Sequence, residues 1–135
     1  MKYEDHIKAY EEHRDSINWA IDRGLIKSQR IISIHSSRAL IELVSAYLHK
    51  EELIKSGFQI NHRWFKTEKV KERFPDFPNK TEIIAGIIEI ELKSENLIYG
   101  AQKKEEEIKE FLKKYNSTEK KILNLLEIDN EAKTE

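Results

Sequence analysis

Apolar residues cover most sides of the stretch from Ser28 to Ser56, and this pattern predicts one long central helix. A helix that is apolar on so many sides must be enclosed by other elements. Ser28 is a suitable N-cap, while Gly24 and Gly57 favour helix ends on either side because glycine tolerates positive φ. The apolar positions are Ile31, Ile32, Ile34, Ala39, Leu40, Ile41, Leu43, Val44, Ala46, Tyr47, Leu48, Leu53 and Ile54.

Three further segments have helical patterns. An a/d-like apolar stripe runs from Lys2 to Arg23, and residues 80–99 carry a broad apolar side behind a capping pattern of Asn79 and Glu82. The apolar run in 83–92 is also compatible with a strand, but its length, its cap and the lack of a partner strand favour a helix. Residues 101–115 are highly charged with a narrow apolar seam. Together these patterns predict an all-α, up-and-down bundle of four to five helices.

The domain organisation follows from the same patterns. Residues 1–118 are predicted to form a single helical-bundle domain that contains a variable aromatic and basic loop at 58–78. A break at 116–118 separates it from an amphipathic C-terminal extension, 119–135, whose last seven residues are expected to be disordered. The seam of Ile108, Leu112 and Tyr115 and the apolar C-terminal segment are exposed unless something covers them. This exposure favours a homodimer.

Composition excludes several classes of protein. The 135 residues include no cysteine, so disulfides and thiolate metal sites are excluded, and 24 basic residues nearly balance 25 acidic ones. The charged start and the lack of a long apolar run indicate a cytoplasmic protein with no membrane segment. Abundant Lys and Glu are typical of proteins from sources that grow hot. No phosphate loop, metal spacing or cofactor motif occurs, so we expect neither a metal nor a cofactor.

A narrow polar stripe follows the central helix. Its members are His35, Arg38, Glu42, Ser45, His49 and Glu52, at spacings that keep them on one face. Such a stripe is most simply a solvated face. It could equally line a ligand groove of Arg14, Arg38, Glu42 and His49, since Arg14 takes an inward position on the first helix and needs a carboxylate such as Glu42.

Two other groups of residues suggest chemistry. In the 58–78 loop, Arg63, Trp64, Lys66 and Lys69 combine cations with an aromatic ring, as single-stranded nucleic acid requires, although the aromatics could instead cap the bundle. Arg30 and His35 form an R-x4-H pair. In RNA cleavage such an Arg would neutralise the phosphate while the His moves a proton, but this spacing is also common by chance.

The string SSRALIELVSAYLHKEELI, from Ser36 to Ile54, resembles the second helix of HEPN-domain proteins, and the helix order over 1–115 is similar to that family's plan. The resemblance implies a HEPN-like bundle that forms a homodimer. It also implies metal-independent RNA cleavage, nucleotide binding, or pairing with a partner protein such as a nucleotidyltransferase. Active members carry an R-x4-6-H motif on the last main helix, whereas this chain has neither Arg nor His after Arg73.

Three functions are therefore open. The leading hypothesis is a non-catalytic, dimeric HEPN-like binding module for nucleotide, RNA or a partner protein. One alternative is a metal-independent ribonuclease that uses Arg30 and His35. The other is a purely structural subunit that binds a partner protein.

Overall fold

A computed structural model of the chain describes the backbone of residues 2–134 and the side chains of residues 2–127. Most of these residues are helical, with no strand among them, so the predicted all-α bundle is confirmed and the helical interpretation of 83–92 holds. The four α-helices of this part of the chain are α1 (Tyr3–Arg23), α2 (Gln29–Lys50), α3 (Lys80–Tyr99) and α4 (Glu105–Thr134). Short 3-10 turns span Ile26–Ser28, His62–Lys66 and Glu68–Arg73.

Helix α2 is the centre of the bundle, as its pattern predicts. It packs against α1, α3 and α4, and its apolar side chains on several faces are fully enclosed. Fourteen of its 22 residues are buried, and five of these are polar: Gln29, Ser33, Ser36, Ser37 and Ser45. The larger polar side chains of α2 that stay partly exposed are the places where this helix meets solvent or other polar groups.

The central helix ends earlier than predicted, at Lys50. Glu52 takes a left-handed conformation with φ of 57°, and the Leu53 amide donates to the Leu48 carbonyl at 2.9 Å. Together these features form a helix C-terminus of the kind in which a glycine normally takes the left-handed position. A left-handed conformation costs an ordinary residue about 1–2 kcal/mol, so Gly57 was the expected terminator, yet Glu52 takes this role.

The predicted break at 116–118 is wrong, because α4 continues through it. The Thr118 side chain packs against α3 at Gly86, so closely that a Cβ added to Gly86 would overlap it. The small residues near 117 therefore permit a close helix contact instead of a turn. The division into 1–118 and 119–135 stays a prediction, and its disordered end lies outside the residues whose side chains are described.

The apolar seam of α4 is covered within the single chain. Ile108 and Tyr115 are fully buried, and the apolar residues of the expected extension join the same core: Ile122, Leu125 and Leu126. The reason given above for a homodimer, an uncovered seam, is therefore wrong. The seam is enclosed because it faces α3 and α2.

The connection between α2 and α3 is folded onto the bundle. Its two 3-10 turns lie against α3, and Phe65, Val70, Phe74 and Phe77 are buried in the core. Most of the loop aromatics thus have the packing role that the simpler interpretation gave them. Within the described residues, no helix is both long and apolar enough to cross a membrane.

Candidate functional site

Three elements bring four polar side chains together beside the central helix. Ser37 and Arg38 come from α2, His62 begins the turn His62–Lys66, and Glu91 lies in the middle of α3. We call these four residues the polar cluster. They are far apart in the sequence, and the fold places them together because the connection after α2 folds back against α3.

The carboxylate of Glu91 organises the polar cluster. This residue is only 5% exposed, and a buried charge needs partners. The Ser37 hydroxyl donates to its Oε2, and His62 Nδ1 lies 2.8 Å from its Oε1. A guanidinium nitrogen of Arg38 lies 3.7 Å from Oε2. Glu91 therefore has a partner on each oxygen.

The hydrogen bonds also assign the tautomer of His62. Because the carboxylate of Glu91 can only accept, Nδ1 of His62 carries the proton. Nε2 is then left as an acceptor, and it lies 3.3 Å from a guanidinium nitrogen of Arg38. A histidine that is held by a carboxylate through one nitrogen and lies in the wall of a cavity meets the positioning requirement of a base, with Arg38 as the present neighbour of its other nitrogen.

Two adjoining cavities meet at the polar cluster. The larger, of about 610 Å³, and the smaller, of about 260 Å³, share Arg38, His62 and Arg63 in their walls. We call the two together the groove. His13, Glu42 and Trp64 also line the larger cavity, and Lys66 and Glu91 line the smaller one.

Arg63 is the least engaged cation of the groove. It is exposed, and its guanidinium has no hydrogen-bond or ion-pair partner among the described residues. Its backbone amide donates to Asn61 Oδ1 at 2.9 Å, which fixes the start of the turn. Lys66 pairs with Glu95 at 2.9 Å, but both side chains are more than 40% exposed. Such exposed pairs are weak and exchange readily.

The other two predicted nucleic-acid residues, Trp64 and Lys69, differ in their position relative to the groove. Trp64 is half-buried, packs edge-on against Phe58 and has the Arg73 guanidinium 4.6 Å from its ring centroid. It still contributes to the wall of the larger cavity. Lys69 is exposed on the turn Glu68–Arg73 and lines neither cavity of the groove.

Histidines of α1 and α2 face each other in pairs. His13 Nδ1 lies 2.9 Å from His35 Nδ1, and the ring of His6 stacks on that of His49 at 4.9 Å between centroids. Between the pairs, Glu42 accepts from His6 Nδ1 at 2.6 Å. We call these five residues the histidine seam. Two heptads separate His35 from His49, so the pairs lie at successive levels of the same helix contact.

Burial affects the titration of the histidine seam. It lowers the pKa of His13 and of His35, and the neighbouring His13 lowers the pKa of His35 further. Burial also lowers the pKa of His49, with a further contribution from His6 beside it. These histidines therefore favour their neutral forms in the folded chain.

The residues predicted to share a groove on α2 are not together. Arg38 and Glu42 line the larger cavity, whereas His49 borders a separate cavity near Tyr3. Arg14 does not pair with Glu42 as suggested. Its guanidinium faces α4, 3.6 Å from Glu119 and 5.5 Å from the Tyr115 ring centroid.

The predicted catalytic pair is also separated. Arg30 donates to the carbonyls of Ile98 and Gly100, each at 3.0 Å, and so caps the C-terminal end of α3. His35 contacts His13 instead. Five positions along a helix correspond to about 140° of rotation, so the two side chains leave α2 in different directions. Their catalytic role stays a prediction.

His62 and Glu91 were not candidates from the sequence. The available signal was Glu91 itself, a carboxylate in the apolar run IIEIEL, which must find a donor if that face is buried. Nothing in the local pattern names His62 as that donor, since 29 residues separate them. Only the folded connection between α2 and α3 brings them together.

No group of three or more potential metal ligands occurs among the described side chains. Comparisons with protein-family models, with curated proteins and with solved structures found no match for this chain. Any function must therefore be inferred from the chemistry of the groove and the residues around it.

Proposed function

We propose that the groove binds a phosphate-bearing ligand, single-stranded RNA or a nucleotide, and that the chain acts as a HEPN-like binding module. The observation that carries this proposal is the free guanidinium of Arg63, which stands beside Arg38 in the wall of both cavities. Guanidinium groups match phosphate oxygens in a bidentate geometry.

The charges of the groove support the proposal. Among the described residues, Arg63 is unpaired and Lys66 pairs with the exposed Glu95. Arg38 shares the carboxylate of Glu91 with His62 and Ser37. A phosphate entering the smaller cavity can therefore meet three cations without breaking a buried ion pair. Trp64 in the neighbouring wall offers apolar surface for a base.

The proposal predicts which cations matter for binding. Arg63→Gln and Lys66→Gln should each weaken binding of a short fluorescent single-stranded RNA by about fivefold to tenfold, because each removes one phosphate contact. Fluorescence anisotropy at low salt measures this. Arg23→Gln is the matched control, since Arg23 lines neither cavity of the groove and its guanidinium lies over the Trp19 ring. Equal affinities for all three variants and the parent chain would contradict the proposal.

We propose the homodimer and a protein partner, such as a nucleotidyltransferase, from the resemblance to HEPN-domain proteins. Trp19 and Tyr99 support such contacts, because they are 57% and 82% exposed. Light scattering gives the mass of the purified protein directly, and a monomer at all concentrations would remove the dimer from the proposal. A purely structural subunit is distinguished by the absence of RNA binding.

A second function, metal-independent RNA cleavage, is favoured by the hydrogen bond between His62 and Glu91. Nε2 of His62 could take the proton of a ribose 2′-hydroxyl, whose oxygen would then attack the neighbouring phosphorus. The 5′-oxygen would leave and take up a proton from water, while Arg38 and Arg63 would stabilise the charge of the phosphate. This arrangement uses residues other than the Arg30 and His35 pair.

Cleavage by His62 and cleavage by His35 are separable. If the second function holds, EDTA-treated protein should cleave mixed single-stranded RNA and tRNA, and His62→Ala should reduce the rate by about 10²-fold or more. His35→Ala serves as the matched histidine variant and should retain the rate. Loss of cleavage in His35→Ala but not in His62→Ala would indicate that Arg30 and His35 are the catalytic residues instead. No cleavage by folded protein would leave the non-catalytic module.

A further inference from the structure

The N-terminal half of α1 has little apolar burial of its own. The two fully buried apolar residues of α1, Ile17 and Ala20, lie in its last third. From Tyr3 to Ser16 the buried residue is His6, while Tyr3, Ile7 and Tyr10 are only partly buried. The contacts of the histidine seam therefore help to hold this half of α1 on α2, while Tyr10 and Arg14 connect it to Glu119 of α4.

The protonation state of the histidine seam decides whether those contacts are favourable. The bond between His13 and His35 joins two Nδ1 atoms, so one must carry a proton and the other must not. One added proton elsewhere on the pair leaves that bond in place. A second added proton makes both rings cations, with their Nδ1 atoms 2.9 Å apart, and leaves neither Nδ1 able to accept a hydrogen bond.

Protonation of both rings is also unfavourable for the His6 and His49 pair. Glu42 can compensate a charge on His6, because it lies 2.6 Å from Nδ1. His49, stacked on His6, has no such partner for its buried Nε2. A proton on both rings therefore places a second charge against the first, with their centroids 4.9 Å apart.

The other charges around the seam give little compensation. Glu42 and Glu12 stabilise a charged His13, whereas Arg38 destabilises it. His62 and Arg63 line the same cavity as His13. His35 meets His13. Lys2 and the exposed Glu52 line the same cavity as His49, and a hydrogen bond with the backbone of Phe58 favours its charged form. Glu42 thus compensates a charge on His6 through a direct contact and also acts favourably on a charged His13.

We propose that the histidine seam is an acid-sensitive latch, which holds the N-terminal half of α1 on α2 at neutral pH and releases it when the seam takes up protons. Release removes His13 from the wall of the larger cavity and opens the polar side of α2. This proposal concerns the fold and stands whether or not the groove binds RNA.

The sign of the effect follows from the lowered pKa values of His13, His35 and His49. The unfolded or released segment takes up protons near the ordinary histidine pKa of 6.5, before the latched form does. The stabilisation is therefore fully present above that pH and is lost as the pH falls below it. Each unit of difference in pKa corresponds to about tenfold in the latching equilibrium.

Native-state amide exchange tests the latch directly. The protection of residues 3–16 is compared with that of α3 in the same molecule, at about pH 7.5 and about pH 5.5, so that the intrinsic dependence of exchange on pH cancels. We expect the ratio of protection, α1 to α3, to fall at least tenfold on acidification. An unchanged ratio in the parent chain would overturn the proposal.

Two variants identify the groups responsible. His13→Gln with His35→Gln should make the fall of the ratio clearly smaller than in the parent chain, because glutamine does not titrate and only the His6 and His49 pair is left to take up protons. His62→Gln, a histidine outside the seam, should retain the fall of the parent chain. If the double variant does not fold, histidine titration of the parent chain by NMR replaces it. His13 and His35 titrating at or above the ordinary value would then overturn the latch.

Discussion

At the scale of single residues, the buried contacts of Glu119 show how polar groups are accommodated in this bundle. Its Oε2 accepts from the hydroxyls of Tyr10 and Tyr115, at 2.8 and 2.6 Å, and Arg14 lies 3.6 Å away. This carboxylate thus joins α1 to α4. The inward Arg14, which is costly without a partner, is satisfied there.

This contact predicts how the protein responds to alkali. Burial, with the nearby charge of Glu119, raises the pKa of Tyr10 and of Tyr115 above the ordinary value of 10. Stability is therefore fully present below that pH and falls as the pH rises above it, because the unfolded chain loses these protons first. In a tyrosinate absorbance titration, Tyr10 and Tyr115 should ionise only when the chain unfolds.

Tyr10→Phe is the variant that checks this assignment. It should reduce the loss of stability above about pH 10, since one of the two shielded phenols is gone. Tyr99→Phe is the matched control because Tyr99 is 82% exposed. Reversible ionisation of all five tyrosines in the folded chain would contradict the account.

Single positions also show the limit of the sequence. The pattern of α1 indicates that Arg14 needs a carboxylate, but Glu42 and Glu119 are equally acceptable candidates until the rotation of α1 is known. The same holds for the histidines: no two of them are spaced for a contact within one helix, and their pairing depends on the register between α1 and α2. A contact between side chains of two different helices leaves no recognisable pattern within either segment of the sequence.

At the scale of elements, the approach of α3 to α4 depends on Gly86. An alanine in a helix is normally about 1 kcal/mol better than glycine, but a Cβ here would overlap the buried Thr118. We expect Gly86→Ala to destabilise the fold by about 1–3 kcal/mol, the range typical of overpacking, as measured by urea unfolding.

Thr118→Ala tests whether that overlap is the cause. Combined with Gly86→Ala, it should recover most of the lost stability, because the Thr118 Oγ1 and Cγ2 atoms that the new Cβ would meet are removed. Additive losses in the double variant would show that Gly86 matters for another reason.

The elements themselves were largely predictable, and their ends were less so. Periodicity located α1 and α3 closely, since a continuous apolar face leaves few alternatives. The end of α2 was misplaced because Glu52 takes a conformation that the sequence assigns to glycine. The end of the predicted fourth helix was misplaced because Thr118 packs closely against Gly86 of α3 within a continuous helix instead of forming a turn.

At the scale of the whole molecule, the groove could not be predicted from any one segment. The 58–78 loop supplied the cations Arg63 and Lys66, and the stripe on α2 supplied Arg38. Glu91, which holds His62 in place, comes from a helix that the sequence indicated only as core. Fold class depends on patterns within segments, whereas this site depends on how three segments meet.

The dependence of RNA affinity on salt tests the central claim that cations of the groove bind phosphate. Contacts from Arg38, Arg63 and Lys66 predict a slope of log affinity against log salt of about −2, measured between about 50 and about 200 mM. Arg63→Gln should reduce the magnitude of that slope by about 0.7, while Arg23→Gln should leave it unchanged. A slope near zero, or one that Arg63→Gln does not alter, would contradict the account.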